Sequence, residues 1–203
     1  MDVRSIIQQH IKKNNWHYIL LILILVLGMI LGYHKVYSLT GEVRSHLLDL
    51  INSYLLGGYK GDYSGNQIFI SAYIQQLKSI VLIWFLGLTV IGIPLILGVI
   101  FFRGFSLGFT IGFLVQEKGS AGVIISILSI FPQNIVYLPL IVAWGLIAIN
   151  FSLYIVKGRE VGGMPLTKGL IRYLFLLAVF SVIVLIGVLI EAYLSPWLLG
   201  LFL

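Results

Sequence analysis

Residues 18–33 read YILLILILVLGMILGY, a stretch without a single charge. Crossing a bilayer takes roughly 20 mostly apolar residues, and in hydrocarbon a lone segment must be a helix, because only a helix satisfies its own backbone hydrogen bonds. Trp16 and Tyr18 stand at the start, where amphipathic rings settle at a membrane interface. Before them, Arg4, Lys12 and Lys13 alternate with Val3, Ile6, Ile7 and Ile11, so residues 1–15 read as a basic amphipathic lead-in on a cytoplasmic membrane surface. Tyr33, His34 and Lys35 follow with no small-residue cleavage site, which marks an uncleaved signal anchor.

The rest of the chain repeats this chemistry. Of 203 residues, 60% are hydrophobic and 10% charged. Soluble domains carry about a quarter charged residues, so these few cannot cover the apolar surface, which must face lipid. Further spans are expected at about 79–101, where Pro94 predicts a kink, at 135–156 and at 169–191, the last ended by Glu191 and Pro196. Residues 36–78 are the one long polar stretch. There Val43, Leu47, Leu50, Ile51, Tyr54 and Leu55 recur at helical spacing behind Thr40 and Glu42, and Gly57 and Gly58 end the pattern. This predicts a small extracytoplasmic helical cap whose apolar side covers the bilayer, the spans or a partner. Between 104 and 131, two short apolar pieces flank Gln116, Glu117, Lys118, Gly119 and Ser120. Charges at mid-membrane cost roughly 2.5–3.5 kcal/mol each, so the chain is expected to break there, as a re-entrant segment or a broken crossing, with Glu117 and Lys118 sheltered or lifted to an interface. Pro132, Gln133 and Asn134 form a second interruption, an elbow.

The expected fold is therefore all-α and polytopic. It has about five transmembrane helices, one broken region and the cap, all in a single membrane domain over residues 1–203. Arg4, Lys12, Lys13, Arg103, Lys157, Arg159, Lys168 and Arg172 on one side, against Lys35, Arg44, Lys60, Lys78 and Lys118 on the other, place the N-terminus in the cytoplasm and the C-terminus outside.

Chemistry is harder to find. Gly104-Phe105-Ser106-Leu107-Gly108 matches the nucleophile-elbow pattern, but that motif needs a strand-to-helix turn and a histidine base. All four histidines, His10, His17, His34 and His46, lie in the first quarter of the chain. The absence of cysteine, of paired histidines at ligand spacing and of a phosphate-binding loop argues against thiol, metal and nucleotide chemistry, and no cofactor is expected. The net charge of +6 sits beside apolar stretches, which suits anionic lipid headgroups and not nucleic acid. Gly104, Gly108 and Gly112 recur every four residues, and Gly28 and Gly32 repeat the spacing. Such stripes let helix backbones approach closely, within one chain or between two copies in a homodimer. Glu117 and Lys118 could also belong to an ion path, but such coupling usually recruits several intramembrane acids.

Several of these segments resemble the stage II sporulation protein M family. They are the basic lead-in with its anchor and helical stretch, the glycine-rich run Arg103–Gly112, and the elbow Phe131–Pro139. Wider relatives open that elbow with Pro-His-Gly and an acid a few residues on; here Gln133, Asn134 and Tyr137 or Leu138 take those places. The resemblance implies a non-enzymatic scaffold in the mother-cell septal membrane during forespore engulfment. It further implies partners, a lytic transglycosylase and an amidase/endopeptidase that remodel peptidoglycan. The rival expectations from the residues are a channel or permease subunit moving a small solute or lipid, and an intramembrane hydrolase at Ser106.

Overall fold

The structure, a computed structural model, describes residues 15–60, 65–156 and 166–201, with side chains for all of these except Asn15 and 54–60. The lead-in and the 157–165 loop lie outside the described residues. Every described element is a helix: α1 (Asn15–Lys35), a short 3₁₀ turn (Val36–Ser38), α2 (Gly41–Lys60), α3 (Gly65–Gly87), α4 (Gly92–Ser129), α5 (Phe131–Val156), α6 (Leu166–Leu189), a π segment (Ile190–Leu194) and α7 (Ser195–Gly200). Five helices are long and apolar enough to cross a membrane. The apolar stretch of α5 is 50% buried while those of the other four are 22–28% buried, so α5 is the centre and the others surround it.

The contacts set the directions. Along α1 and α4 the pairing numbers rise together: Gly104 lies on Leu25, Gly108 on Met29 and Gly112 on Tyr33, while Gly28 lies on Phe101 and Phe105, and Gly32 on Phe105 and Phe109. The two helices are therefore parallel, and a β-carbon at Gly28, Gly32, Gly104 or Gly108 would collide with the partner's backbone. Trp144 Nε1 donates to the Ile80 carbonyl (2.9 Å) and Ser152 Oγ to that of Thr89 (2.8 Å), which makes α3 and α5 parallel. Tyr173 donates to the Trp84 carbonyl (3.1 Å) and Tyr193 to Asn66 (3.0 Å), so α6 and its extension run opposite to α3. The chain thus crosses five times in alternation. Trp16, Leu88–Ile91, Val156 and Leu166 mark one rim, here the N-side. Ser38, Gly65, Lys118 and Leu201 mark the far side, with α2.

Three expectations need correction. Residues 79–101 are not one span. The chain turns at Leu88–Ile91, closed by Thr89 Oγ1 on the Leu86 carbonyl (3.0 Å) and by Gly92 N–H on that of Thr89 (3.2 Å). A β-carbon at Gly92 would strike the Leu86 carbonyl, so the turn needs glycine. Pro94 consequently sits in the first turn of α4, where its missing N–H costs nothing, and not at a kink. Second, the 36–78 stretch is divided: residues 65–78 belong to α3, which buries Ala72, Gln76, Ile80, Ile83 and Gly87 along one stripe. Third, the last crossing does not end at Glu191 but continues through the π segment into α7.

The break within 104–131 is at Gly119, whose φ of +56° and ψ of −129° part α4 into limbs of residues 92–118 and 120–129. The second limb folds back so closely that a β-carbon at Gly122 would meet the Leu114 carbonyl. On the N-side half, Trp144, Tyr173, Ile83, Ile96, Ile100 and Leu146 are fully buried. Tyr173 stacks on Trp144 (5.4 Å) and on Phe151 (4.2 Å), so this half is dry and tightly filled.

Replacing Gly108 by Leu is expected to lower stability by at least about 2 kcal/mol, since the side chain must be forced into a backbone contact. Gly98, on the same helix with open space at its β-position, should accept Leu with little change. Thermal unfolding of the two variants in detergent checks the contrast.

Candidate intramembrane site

Arg103 is eleven residues into α4 and Gln76 eleven residues into α3, each about 16 Å along its helix at 1.5 Å per residue. Both therefore lie near mid-membrane, and Arg103 is not the cytoplasmic span end that its sequence position suggests. An isolated charge at this depth costs roughly 2.5–3.5 kcal/mol, and such residues turn inward. Here they turn into a chamber of about 180 Å³ lined by Gln75, Gln76, Arg103, Ser106, Leu107, Thr110, Ile130, Gln133, Asn134, Tyr137 and Glu191. Four elements supply this lining: α3, α4, α5 with the residue before it, and the π segment.

The wall on the α5 side is polar and buried. Tyr137 donates its hydroxyl hydrogen to Glu191 Oε2 (2.8 Å), and the Arg103 guanidinium lies 5.5 Å from the centre of the same ring. One phenol thus separates a cation from an anion. Ser195 Oγ donates to Gln133 Oε1 (2.9 Å), and the Gln133 amide donates to the Ser129 carbonyl. Asn134 Nδ2 donates to the Ile130 carbonyl (2.7 Å), while its Oδ1 is buried and finds no partner among the described residues. The side-chain amides thus satisfy the carbonyls freed where α4 ends and α5 begins. On the opposite margin Gln75, Ser106 and Thr110 are exposed, so the chamber opens sideways between α3 and α4. Its floor, toward the N-side, is the dry aromatic and isoleucine layer.

A second polar arrangement caps the far side. Arg44 on α2 donates to Glu117, and Lys118 donates to Asn52 (2.9 Å), again on α2. The two grips are two helical turns apart, so α2 is clamped across the end of the first limb of α4. Ile51 packs between them on Leu114, Ile125 and Leu199. Glu117 and Lys118 are therefore the clamp that holds α2.

The structure gathers the sequence-selected residues into three places. Gly28, Gly32, Gly104, Gly108 and Gly112 all face the α1–α4 seam inside one chain, which leaves that stripe no face for a second copy. On α2, Val43 and Leu50 are exposed, Leu47 is half-buried and Ile51 points inward; the Tyr54 and Leu55 side chains lie outside the described residues. Of the elbow, Gln133 and Asn134 line the chamber, and Pro132 lies in the first turn of α5. Sequence reasoning missed Gln75, Gln76, Arg103, Tyr137 and Glu191 as one group. The signal was present, since each interrupts an apolar run. The lining includes no histidine, so Ser106 has no imidazole base there, and no group of three metal-ligating side chains exists among the described residues.

A family model described as stage II sporulation protein M matches residues 19–196. No curated protein and no solved structure matches the chain significantly.

Replacing Tyr137 by Phe leaves the Glu191 carboxylate without its donor at membrane depth. The expected loss, about 1–3 kcal/mol, is measurable by unfolding in mixed detergent micelles. Combining Glu117→Gln with Lys118→Met should free α2. Protease cleavage at Arg44 should then speed up severalfold while the melting of the membrane helices holds.

Proposed function

The chain belongs to the stage II sporulation protein M family, a family of sporulation membrane proteins, and from that membership we propose that it is a non-enzymatic scaffold. In this reading it holds peptidoglycan-degrading enzymes, a lytic transglycosylase and an amidase/endopeptidase, at the mother-cell septal membrane during engulfment. The observation that carries the reading is the clamped helix α2. Two polar grips and the seating of Ile51 fix a short amphipathic helix on the far face, with Val43 and Leu50 turned outward. A helix held this firmly with apolar residues exposed is suited to receive a partner.

Sidedness supports the same reading. With the corrected crossings, Arg4, Lys12, Lys13, Lys157, Arg159, Lys168 and Arg172 belong to sequence flanking the N-side ends. Lys35, Arg44, Lys60 and Lys118 belong to the far side. Seven against four supports a cytoplasmic N-side, because basic residues are retained there. The far face with α2 then looks onto the cell wall, where enzymes acting on peptidoglycan work.

The chamber favours a second reading, a permease subunit, since polar groups at membrane depth line substrate paths. Its floor opposes that reading: Ile96, Ile100, Ile83 and Trp144 are fully buried below Arg103, so the chamber is blind toward the N-side.

Changing Val43 and Leu50 together to Asp should cut the recovery of wall-degrading enzymes with the tagged protein by about tenfold, the equivalent of about 1.4 kcal/mol. Membrane yield and melting should stay at the unsubstituted level. Mass spectrometry of material co-purified from sporulating membranes measures this. Undiminished recovery of those enzymes would remove α2 as the docking surface, and their absence from the unsubstituted preparation would remove the scaffold.

A further inference from the structure

The chamber contains more polar capacity than it uses. Arg103 makes no hydrogen bond or ion pair among the described residues; it faces the Tyr137 ring and, beyond it, the charge of Glu191, so its guanidinium donors remain available. Asn134 is 8% exposed, and its Oδ1 has no donor. Glu191 accepts one bond from Tyr137 and keeps further acceptor sites. A half-buried cation with free donors beside a buried orphan acceptor calls for an occupant that is both an anion and a donor. An arginine fork is suited to phosphate oxygens.

The route into the chamber limits what that occupant can be. The floor is closed by packed side chains, and the open margin is lateral, between α3 and α4, at a depth where the molecule meets lipid. Along α4 the exposed positions at this margin run Phe102, Ser106, Thr110, one per turn, from apolar near mid-membrane to polar toward the far side. On α3 the order matches, with Leu82 exposed on the N-side of mid-membrane, Lys78 and Gln75 exposed near it, and Ser71 exposed toward the far side. This polarity gradient has the direction of an amphiphile from the far leaflet, its polar group drawn down to the depth of the chamber and its chains running on toward the N-side.

We infer that the chamber binds the headgroup of a membrane phospholipid, entering sideways between α3 and α4. Its phosphate lies against Arg103, and its N–H or O–H donors lie against Asn134 and Glu191. The acyl chains rest along Phe102 and Leu82. Ethanolamine and glycerol headgroups carry the needed donors, whereas a choline headgroup carries the phosphate and none of them. The inference is independent of the docking role of α2, and loss of lipid binding need not alter partner recovery.

The test uses the delipidated full chain in detergent. It is titrated with short-chain phosphatidylethanolamine, phosphatidylglycerol and phosphatidylcholine, and with water-soluble O-phosphoethanolamine and glycerol phosphate; bound lipid is read by native mass spectrometry and by thermal shift. The ethanolamine and glycerol lipids should bind at least about tenfold more tightly than the choline lipid. They should lose about as much on Arg103→Gln or Asn134→Leu. Ser106→Trp, at an exposed position, should block binding without lowering the melting temperature, and it decides the matter if either of those variants fails to fold. Equal binding of the choline lipid would overturn the inference, as would wild-type binding by Ser106→Trp. Soluble phosphates binding as tightly as the lipids would show a solute site in place of a lipid site.

Discussion

The contact on which the rest depends is the glycine seam between α1 and α4. Lipid offers no hydrophobic drive for one apolar helix to leave it for another, so association depends on close packing. Gly28, Gly32, Gly104 and Gly108 supply this by putting backbone against backbone. With α1 fixed on one face of α4, the other faces of α4 are committed: one packs toward α5, and another carries Ser106 and Thr110 to the chamber margin. Shifting α4 by one residue would rotate Arg103 by about 100°, out of the chamber and toward hydrocarbon. The seam therefore sets register as well as stability.

Polar groups in this bundle are handled by two different means. At the far rim, Glu117 is neutralised by Arg44 and Lys118 donates a hydrogen bond to Asn52, both on α2. The lipid-facing problem of a charged pair thus becomes the attachment point of an extramembrane helix. Deeper down no such exit exists. There Tyr137, Gln133 and Asn134 on the central helix give hydrogen bonds to Glu191, Ser129 and Ile130. The amides do local structural work while leaving Arg103 and Asn134 Oδ1 with spare capacity. Structure accounts for most of these polar atoms, and the remainder is what makes the chamber chemically unusual.

What the sequence disclosed follows the same physics. The run at 18–33 is uninterrupted and could only be a span. Glu117 to Ser120 are polar enough that a break there was forced, and four-residue glycine spacing can be seen without coordinates. The turn at Leu88–Ile91 was invisible because nothing in Leu-Thr-Val-Ile-Gly is charged: its backbone is satisfied by Thr89 and by local carbonyls, so hydropathy runs straight through it. That one hidden turn moved the expected end of a span to Arg103. A residue near mid-membrane was thereby assigned to a rim, and Gln75 and Gln76 to a cap. Once the turn is placed, each isolated polar residue falls at a similar depth and the chamber becomes legible.

The first limb of α4 joins the two polar regions. Arg103 and Glu117 are fourteen residues apart on it, about 21 Å along one uninterrupted helix, with Gly119 as the first non-helical position beyond them. The helix that frames the chamber is thus the helix that grips α2, and the seam to α1 runs alongside both. A rigid strut of this kind ties the polar breaks of the chain to one another. They position a helix on the far side and frame a cavity at mid-membrane. The glycine face is unavailable to a second copy, since α1 already lies along it backbone to backbone.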